Sequence, residues 1–321
     1  MNFRTQIPIK KAHHQIDYGA KIMLFGSCFT ENISNELNHF KFQTTVNPFG
    51  ILFHPKAIES LITNIINEKM YTEEDIFFQN DLWHCFEAHS ELSDLSKELL
   101  LQKLNALIQM TNQQIQDATH IIITLGTAWV YRFIETDIIV ANCHKIPQKK
   151  FLKELLTVDE VSESMDAIIS LLKSINDEVE IVFTVSPVRH LKDGYTENAL
   201  SKAHLLSSIH RIIEPRNRTH YFPSFEIMMD DLRDYRFYKK DMLHPNDTAV
   251  QYIWEQFKNT WIDEKSFDLM KDIDSIQKGL KHKPFHKNSV QHQQFLSELN
   301  KKIDYIEQKF PQIKFHKKKE M

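Results

Sequence analysis

A three-layer α/β/α sandwich is the fold class this chain predicts, and three observations predict it. Four short runs rich in β-branched and aromatic residues have the length of buried strands: "KIMLF" (21–25), "FQTTV" (42–46), "HIIITL" (120–125) and "VEIVFTV" (179–185). Longer segments with helical spacing separate most of them, and that alternation implies parallel strands joined by right-handed crossovers. The composition, 42% hydrophobic and 26% charged over 321 residues, suits one large globular α/β domain, or one domain with an appendage.

The first strand ends at Gly26, followed by Ser27 where a helix can begin. A serine there either caps the helix or faces the crevice that parallel sheets open at the C-terminal ends of their strands. Gly50 and Gly126 stand just beyond the second and third strands. Each of the three glycines is either a strand-ending turn or a place where a backbone N–H approaches a ligand closely. Residues 54–67 form a helix with Ile58, Leu61, Ile62, Ile65 and Ile66 on one face, and residues 99–116 and 158–175 have the same character. After the fourth strand, Arg189 and His190 are placed to meet a substrate carboxylate or phosphate, or Arg189 pairs with Asp193 on the surface.

Residues 230–256 supply what a reactive serine needs. A serine hydroxyl requires a neutral imidazole to take its proton, and the imidazole requires an acceptor to orient it. In Asp241-x-x-His244 the carboxylate can turn back to Nδ1 and leave Nε2 free, with Pro245 opening the next helix. The competing reading of the same four residues is a solvated loop in which Asp241 or Asn246 caps a helix.

Other chemistries are weaker. Cys28 invites a thiolate at a helix N-terminus, but Ser27 and Cys28 point in different directions and cannot both face the crevice. Three cysteines without C-x-x-C spacing, and 17 histidines without a two-ligand helical motif, spell neither a disulfide framework nor a metal centre. A net charge of −4 argues against nucleic acid or an anionic membrane as a general partner. The N-terminal residues lack a signal-peptide core and no run approaches a membrane span, so a cytoplasmic protein without stable membrane insertion is expected.

Beyond residue 262 the composition shifts, which divides the chain into an α/β domain (1–262) and a helical extension (263–321). Residues 281–321 carry ten lysines against four acidic residues. Phe295, Leu299, Ile303 and Ile306 give residues 288–310 an apolar helical face, suited to the α/β domain or to a second copy in a homo-oligomer, ahead of a basic tail.

Several stretches in order carry a specific resemblance: "GSCFT" (26–30), "NPFGILFHP" (47–55), "WHCFEAHSELS" (83–93), "LGTAWVY" (125–131), "VANCHKIPQKKF" (140–151), "TVSPVRHLKDG" (184–194) and "DMLHPN" (241–246). Over residues 5–262 the chain resembles the GSCFA family, with Thr30 where the name has Ala. That family in turn resembles the SGNH (GDSL-like) hydrolases, which cleave esters on a flavodoxin-like sheet. The resemblance implies Ser27 as nucleophile with its own N–H as an oxyanion donor, Gly50 as a second donor, His244 as base, Asp241 as orienter, and no cofactor. It also exposes a departure: the block expected to read G-x-N-D is Gly126-Thr127-Ala128-Trp129, without the asparagine whose side chain donates to the oxyanion. Asn142 is the first candidate to replace it, if residues 129–141 fold over the crevice as a hairpin, with His144 and Thr127 behind it. Together with Gly126, Arg189 and His190, these residues form the expected substrate wall. The function implied is ester hydrolysis on a small-molecule or glycan ester. The alternative is a catalytically weak or inactive relative that binds an acylated or glycan ligand in the same crevice.

Overall fold

The computed structural model describes residues 5–286 and 289–315. The end of the basic tail, residues 316–321, lies outside them. In chain order the elements are β1 (Lys21–Gly26), α1 (Cys28–His39), β2 (Gln43–Val46), α2 (Pro55–Ile66), β3 (Ile76–Gln79), β4 (Leu82–Cys85), α3 (Lys97–Asp117), β5 (His120–Leu125), β6 (Trp129–Phe133), β7 (Ile138–Val140), β8 (Phe151–Leu155), α4 (Val158–Ile175), β9 (Glu180–Val185), α5 (Tyr195–Ile212), β10 (Thr219–Phe222), α6 (Ser224–Glu226), α7 (Asp247–Trp261), α8 (Phe267–Lys281) and α9 (Val290–Lys309).

Five of the strands form one parallel sheet in the order β10-β9-β5-β1-β2. Counted within that sheet this is 2-1-3-4-5, the flavodoxin-like order, whose switch point lies between β1 and β5. Alternate residues of each strand feed different layers. Met23, Phe25, Ile121, Ile123, Ile181 and Phe183 pack with α2, α3, α4 and α5. Their neighbours Ile22, Leu24, Ile122, Val182 and Phe222 pack with α1, α7, α8 and α9. Both faces are covered, which is why β5 and β9 are buried at every position and read as mainly apolar, β-branched runs.

Two small antiparallel sheets decorate the crevice side of the chain: the β3–β4 hairpin, and β7-β6-β8 around Phe133, Val140 and Phe151. The hairpin expected over residues 129–141 is therefore present, as β6 and β7. The C-terminal extension packs on this chain: Leu299, Ile303 and Ile306 are buried in the layer that holds α1 and α7, and Gln312 Nε2 donates to Tyr18 O at 3.2 Å. Among the described residues, no helix is long and apolar enough to cross a membrane.

One helix start departs from expectation. Asn246, not Pro245, opens α7, because the Asn246 side chain accepts from Ala249 N at 3.1 Å. Pro245 lies one residue outside, bridged to Tyr238. The Asn246 side chain supplies the acceptor that an otherwise unpaired N–H of the first turn needs.

Candidate active site

β1 ends on a glycine for a steric reason. Gly26 has φ +135°, and a Cβ there would lie 2.2 Å from Thr124 O on β5. Gly26→Ala is expected to cost about 4 kcal/mol or more, since the backbone of both central strands would have to move. A melting curve within a few degrees of native would refute this.

Ser27 follows and caps α1, its Oγ accepting from Phe29 N at 3.3 Å. It is 1% exposed, and its N–H donates to Thr124 O at 3.1 Å. The backbone donor expected at Ser27 is thus engaged in the sheet.

At the end of β2, Asn47 is anchored at three atoms. Its N–H donates to Leu24 O at 2.9 Å, its own carbonyl accepts from Gly50 N at 2.7 Å, and its Oδ1 accepts from Gly26 N at 2.8 Å. The remaining polar atom, Nδ2, is buried without a partner among the described residues. Gly50, at φ +74°, closes this turn with its N–H, so the second expected backbone donor is engaged as well. A Cβ on Gly50 would meet His89 Cβ at 2.3 Å, which is the packing reason for a glycine.

Across the switch point, β5 is followed by Gly126 and Thr127, whose N–H groups both donate to Phe53 O, at 2.7 and 3.2 Å. Thr127 Oγ1 bonds Ser201 Oγ at 2.9 Å and accepts from Trp129 N at 3.0 Å. Under this turn lies Lys202, 2% exposed, donating from Nζ to Gly126 O and Ser186 O at 2.7 Å each. Burial pushes its ammonium down to about 7. His190 leans over Gly126, its Nε2 buried and without a partner among the described residues, 3.2 Å from where a Cβ on Gly126 would stand. Burial, then the charges of Lys202 and His244, push it down to about 4, so it is neutral at pH 7.

The D-x-x-H loop forms the pair its spacing implies. Asp241 Oδ2 meets His244 Nδ1 at 2.7 Å, while Oδ1 accepts from Leu243 N and His244 N at 2.9 and 3.0 Å. Those backbone N–H bonds, and then the imidazole, hold the Asp241 carboxyl down at about 2. Side-chain exposures of 44% and 42% place the pair at the rim. Among the described residues His244 makes no hydrogen bond to Ser27, whose Oγ is held by Phe29 N–H. Such bonds commonly tighten only when substrate arrives. Arg189 joins this loop through its N–H to Leu243 O at 3.3 Å, with its guanidinium 4.9 Å from the centre of the Tyr238 ring and 5.9 Å from that of Tyr235. Asp193 pairs with Lys153 at 2.6 Å, not with Arg189.

Asn142 and His144 belong to a different cluster. Asn142 Oδ1 accepts from His144 N at 2.9 Å and from Ser90 Oγ at 3.4 Å. His144 uses both ring nitrogens, Nδ1 on Ser90 Oγ at 3.1 Å and Nε2 on Cys85 O at 2.8 Å. These bonds tie the loop after β7 to the end of β4, and none of them reaches Ser27 or His244. At Cys28, burial and then Glu31 raise the thiol pKa, which disfavours the thiolate a cysteine nucleophile needs.

Sequence reasoning missed Asn47 and Lys202. Lys202 left a signal: it shares a helix face with the buried Ser201, Leu205, Ser208 and Ile209, where a lysine is out of place without partners. Asn47 left only its neighbourhood, a polar residue at a strand end.

Comparison with known proteins adds the following. The GSCFA family model matches residues 21–257, and that of the GSCFA domain protein, C-terminal domain, matches residues 273–321. No curated protein matches. Among solved structures, a carbohydrate esterase family 3 from Talaromyces cellulolyticus is 9% identical, covering 79% of this chain and 99% of its own, at a TM-score of 0.37. An acetyl xylan esterase from the rumen bacterium Butyrivibrio proteoclasticus is 10% identical, covering 76% of this chain and 65% of its own, at 0.40.

Proposed function

The chain belongs to the GSCFA family, and from that premise we propose that it is a serine-dependent ester hydrolase of the SGNH kind, working through an acyl-enzyme. The observation that carries the reading is the Asp241–His244 pair. Both carboxylate oxygens are committed, one to two backbone N–H groups and one to Nδ1, so the imidazole is held in the tautomer whose Nε2 can accept a proton. Ser27 stands at the end of β1, beside the switch point where ligands of open α/β sheets bind.

In this reading Ser27 Oγ attacks the ester carbonyl carbon as His244 Nε2 takes the hydroxyl proton. Collapse of the tetrahedral intermediate breaks the bond to the alkoxy oxygen, which leaves with that proton. A water, deprotonated by the same nitrogen, then attacks the acyl-enzyme and frees the acid and Ser27. Arg189, steadied by two tyrosine rings, faces the substrate beside His244 and suits an anionic or polyhydroxylated ester.

The second reading is a binding protein with little or no turnover, and the buried, cap-engaged Ser27 Oγ favours it. A fluorophosphonate probe read by intact mass separates the two. Native protein is expected to gain one adduct, and Ser27→Ala and His244→Ala to gain none or to react at least about ten-thousand-fold more slowly, with folds intact. Native protein that stays unlabelled while folded would favour the binding protein.

A further inference from the structure

The hydrolase reading leaves an electrostatic gap. A tetrahedral oxyanion needs preorganised N–H donors, yet the backbone N–H groups of Ser27, Gly50, Gly126 and Thr127 all donate to carbonyl oxygens of this chain. Ala128 N, at the position of the absent asparagine, is also engaged, with Ser201 Oγ at 2.7 Å. Asn142, which carries the right side chain, is bonded into the cluster around His144 and Ser90.

We propose that Asn47 is a catalytic residue whose Nδ2 donates to the oxyanion formed on the ester at Ser27. The proposal rests on the hydrolase reading and supplies the donor that reading lacks. Three observations carry it. First, Asn47 Oδ1 accepts from Gly26 N at 2.8 Å, and Gly26 is the residue bonded to Ser27. That bond fixes which way the amide faces, since only its oxygen can accept, so the NH2 must occupy the other side. Second, Nδ2 is buried with no protein partner among the described residues. An unpaired buried donor forfeits its bond to water without a replacement, and a substrate oxygen would relieve it. Third, the residue is held rigidly by its own N–H on Leu24 O and its carbonyl on Gly50 N, at φ +41°, a left-handed conformation that asparagine tolerates better than most residues. Such a donor needs no reorganisation when charge develops.

Asparagine thus returns to the site from the opposite flank, the end of β2 in place of the end of β5. The same geometry explains why Asn47 and Gly50 occur in one turn: the glycine N–H fastens the asparagine carbonyl, and the asparagine side chain fastens Gly26.

The test uses the fluorophosphonate probe on the full chain. Phosphonylation forms the bond from Ser27 Oγ to phosphorus, expels fluoride and sends the hydroxyl proton to His244, and the phosphonyl oxygen occupies the oxyanion position. Asn47→Asp keeps an acceptor for Gly26 N–H and tolerates the backbone, but replaces the donor by an oxygen. Its labelling rate is expected to fall about one hundred- to one thousand-fold in protein that remains folded by circular dichroism. Asn47→Gly, equally at ease at this φ, is expected to fall by a similar factor. If native protein labels and both folded variants label within about threefold of it, the assignment is overturned while the hydrolase reading stands. If native protein does not label, the hydrolase reading fails and takes the assignment with it. Should neither variant fold, native protein labelled with nitrogen-15 carries the test: the Asn47 side-chain NH2 resonances are expected to move downfield on phosphonylation, and unmoved resonances would overturn the assignment.

Discussion

Acidification from pH 6.5 to pH 4 is expected to unfold the protein without denaturant. His54, His144 and His190 are each pushed by burial from the ordinary 6.5 to about 4. One of them, His54, is locked as an acceptor by a backbone N–H. His54 Nδ1 takes the N–H of Ala57 at 3.1 Å while Nε2 donates to Val140 O at 3.1 Å, and His144 is similarly engaged on both sides. A second proton on the His54 ring would face the Ala57 N–H. Because the folded pKa lies below the unfolded one, the unfolded chain binds the extra protons between the two values. Stability is therefore full above pH 6.5 and falls as pH drops through the window to about 4. At about 1.4 kcal/mol per pH unit, each histidine removes on the order of 3 kcal/mol, and the three together rival the 5–15 kcal/mol that holds a typical domain. Circular dichroism against pH checks this. His54→Asn, which keeps a capping acceptor and removes the titration, is expected to shift the midpoint to lower pH. A far-ultraviolet signal and melting temperature unchanged down to pH 4 would show that these rings are not neutral anchors.

Asp241→Asn is expected to lower turnover by about three to four orders of magnitude while leaving the fold unaltered. The asparagine Oδ1 can still accept from Leu243 N and His244 N, so the loop keeps its shape. Its NH2 then faces Nδ1, which must become the acceptor, and the ring proton moves to Nε2, where it blocks the base. Since the carboxyl is held at about 2, Asp241 stays ionised throughout the folded range and should contribute no limb to the pH profile of the native protein. The rate of Ser27 phosphonylation reads the effect directly. A loss under tenfold would mean that the pair serves the loop alone.

How much of this was legible depends on where the cause of each feature lies. β1, β5 and β9 were readable to within a residue because both of their faces are buried and their central residues are consecutive apolar ones. β10 was not, since its four residues, Thr219 to Phe222, include a histidine whose place is set by a 2.6 Å bond to the buried Glu180 on the neighbouring strand. β8 likewise takes its identity from β6, about twenty residues earlier, whereas β3 and β4 form a local hairpin whose strands are too short to show a period. Within the site, Ser27 and the D-x-x-H pair were visible because their chemistry is local: one turn, one spacing of three. Whereas the N–H of Gly50 closes a local turn on Asn47 O, the engaged N–H of Ser27 was invisible because Thr124 O reaches it only once β1 and β5 have paired. Asn47 was hidden for the same reason, its defining bond being to a residue twenty-one positions earlier. Lys202 broke the apolar pattern of α5 but could not name the two carbonyl groups, on separate strand ends, that it bridges.

The far end of α1 bears on all of this. The helix that begins at Ser27 runs twelve residues, about 18 Å, and its last residue, His39, is gripped by α8: Nε2 meets Asp274 at 2.9 Å and its carbonyl accepts from Gln277 at 3.1 Å. A rod free at one end can swivel about its axis, and a swivel of α1 would sweep the serine hydroxyl away from whatever approaches it. Fastened at the sheet by Ser27 and at the other end by α8, α1 behaves instead as a shaft keyed in two bearings so that it cannot turn. The extension that looked like an appendage is one of those bearings.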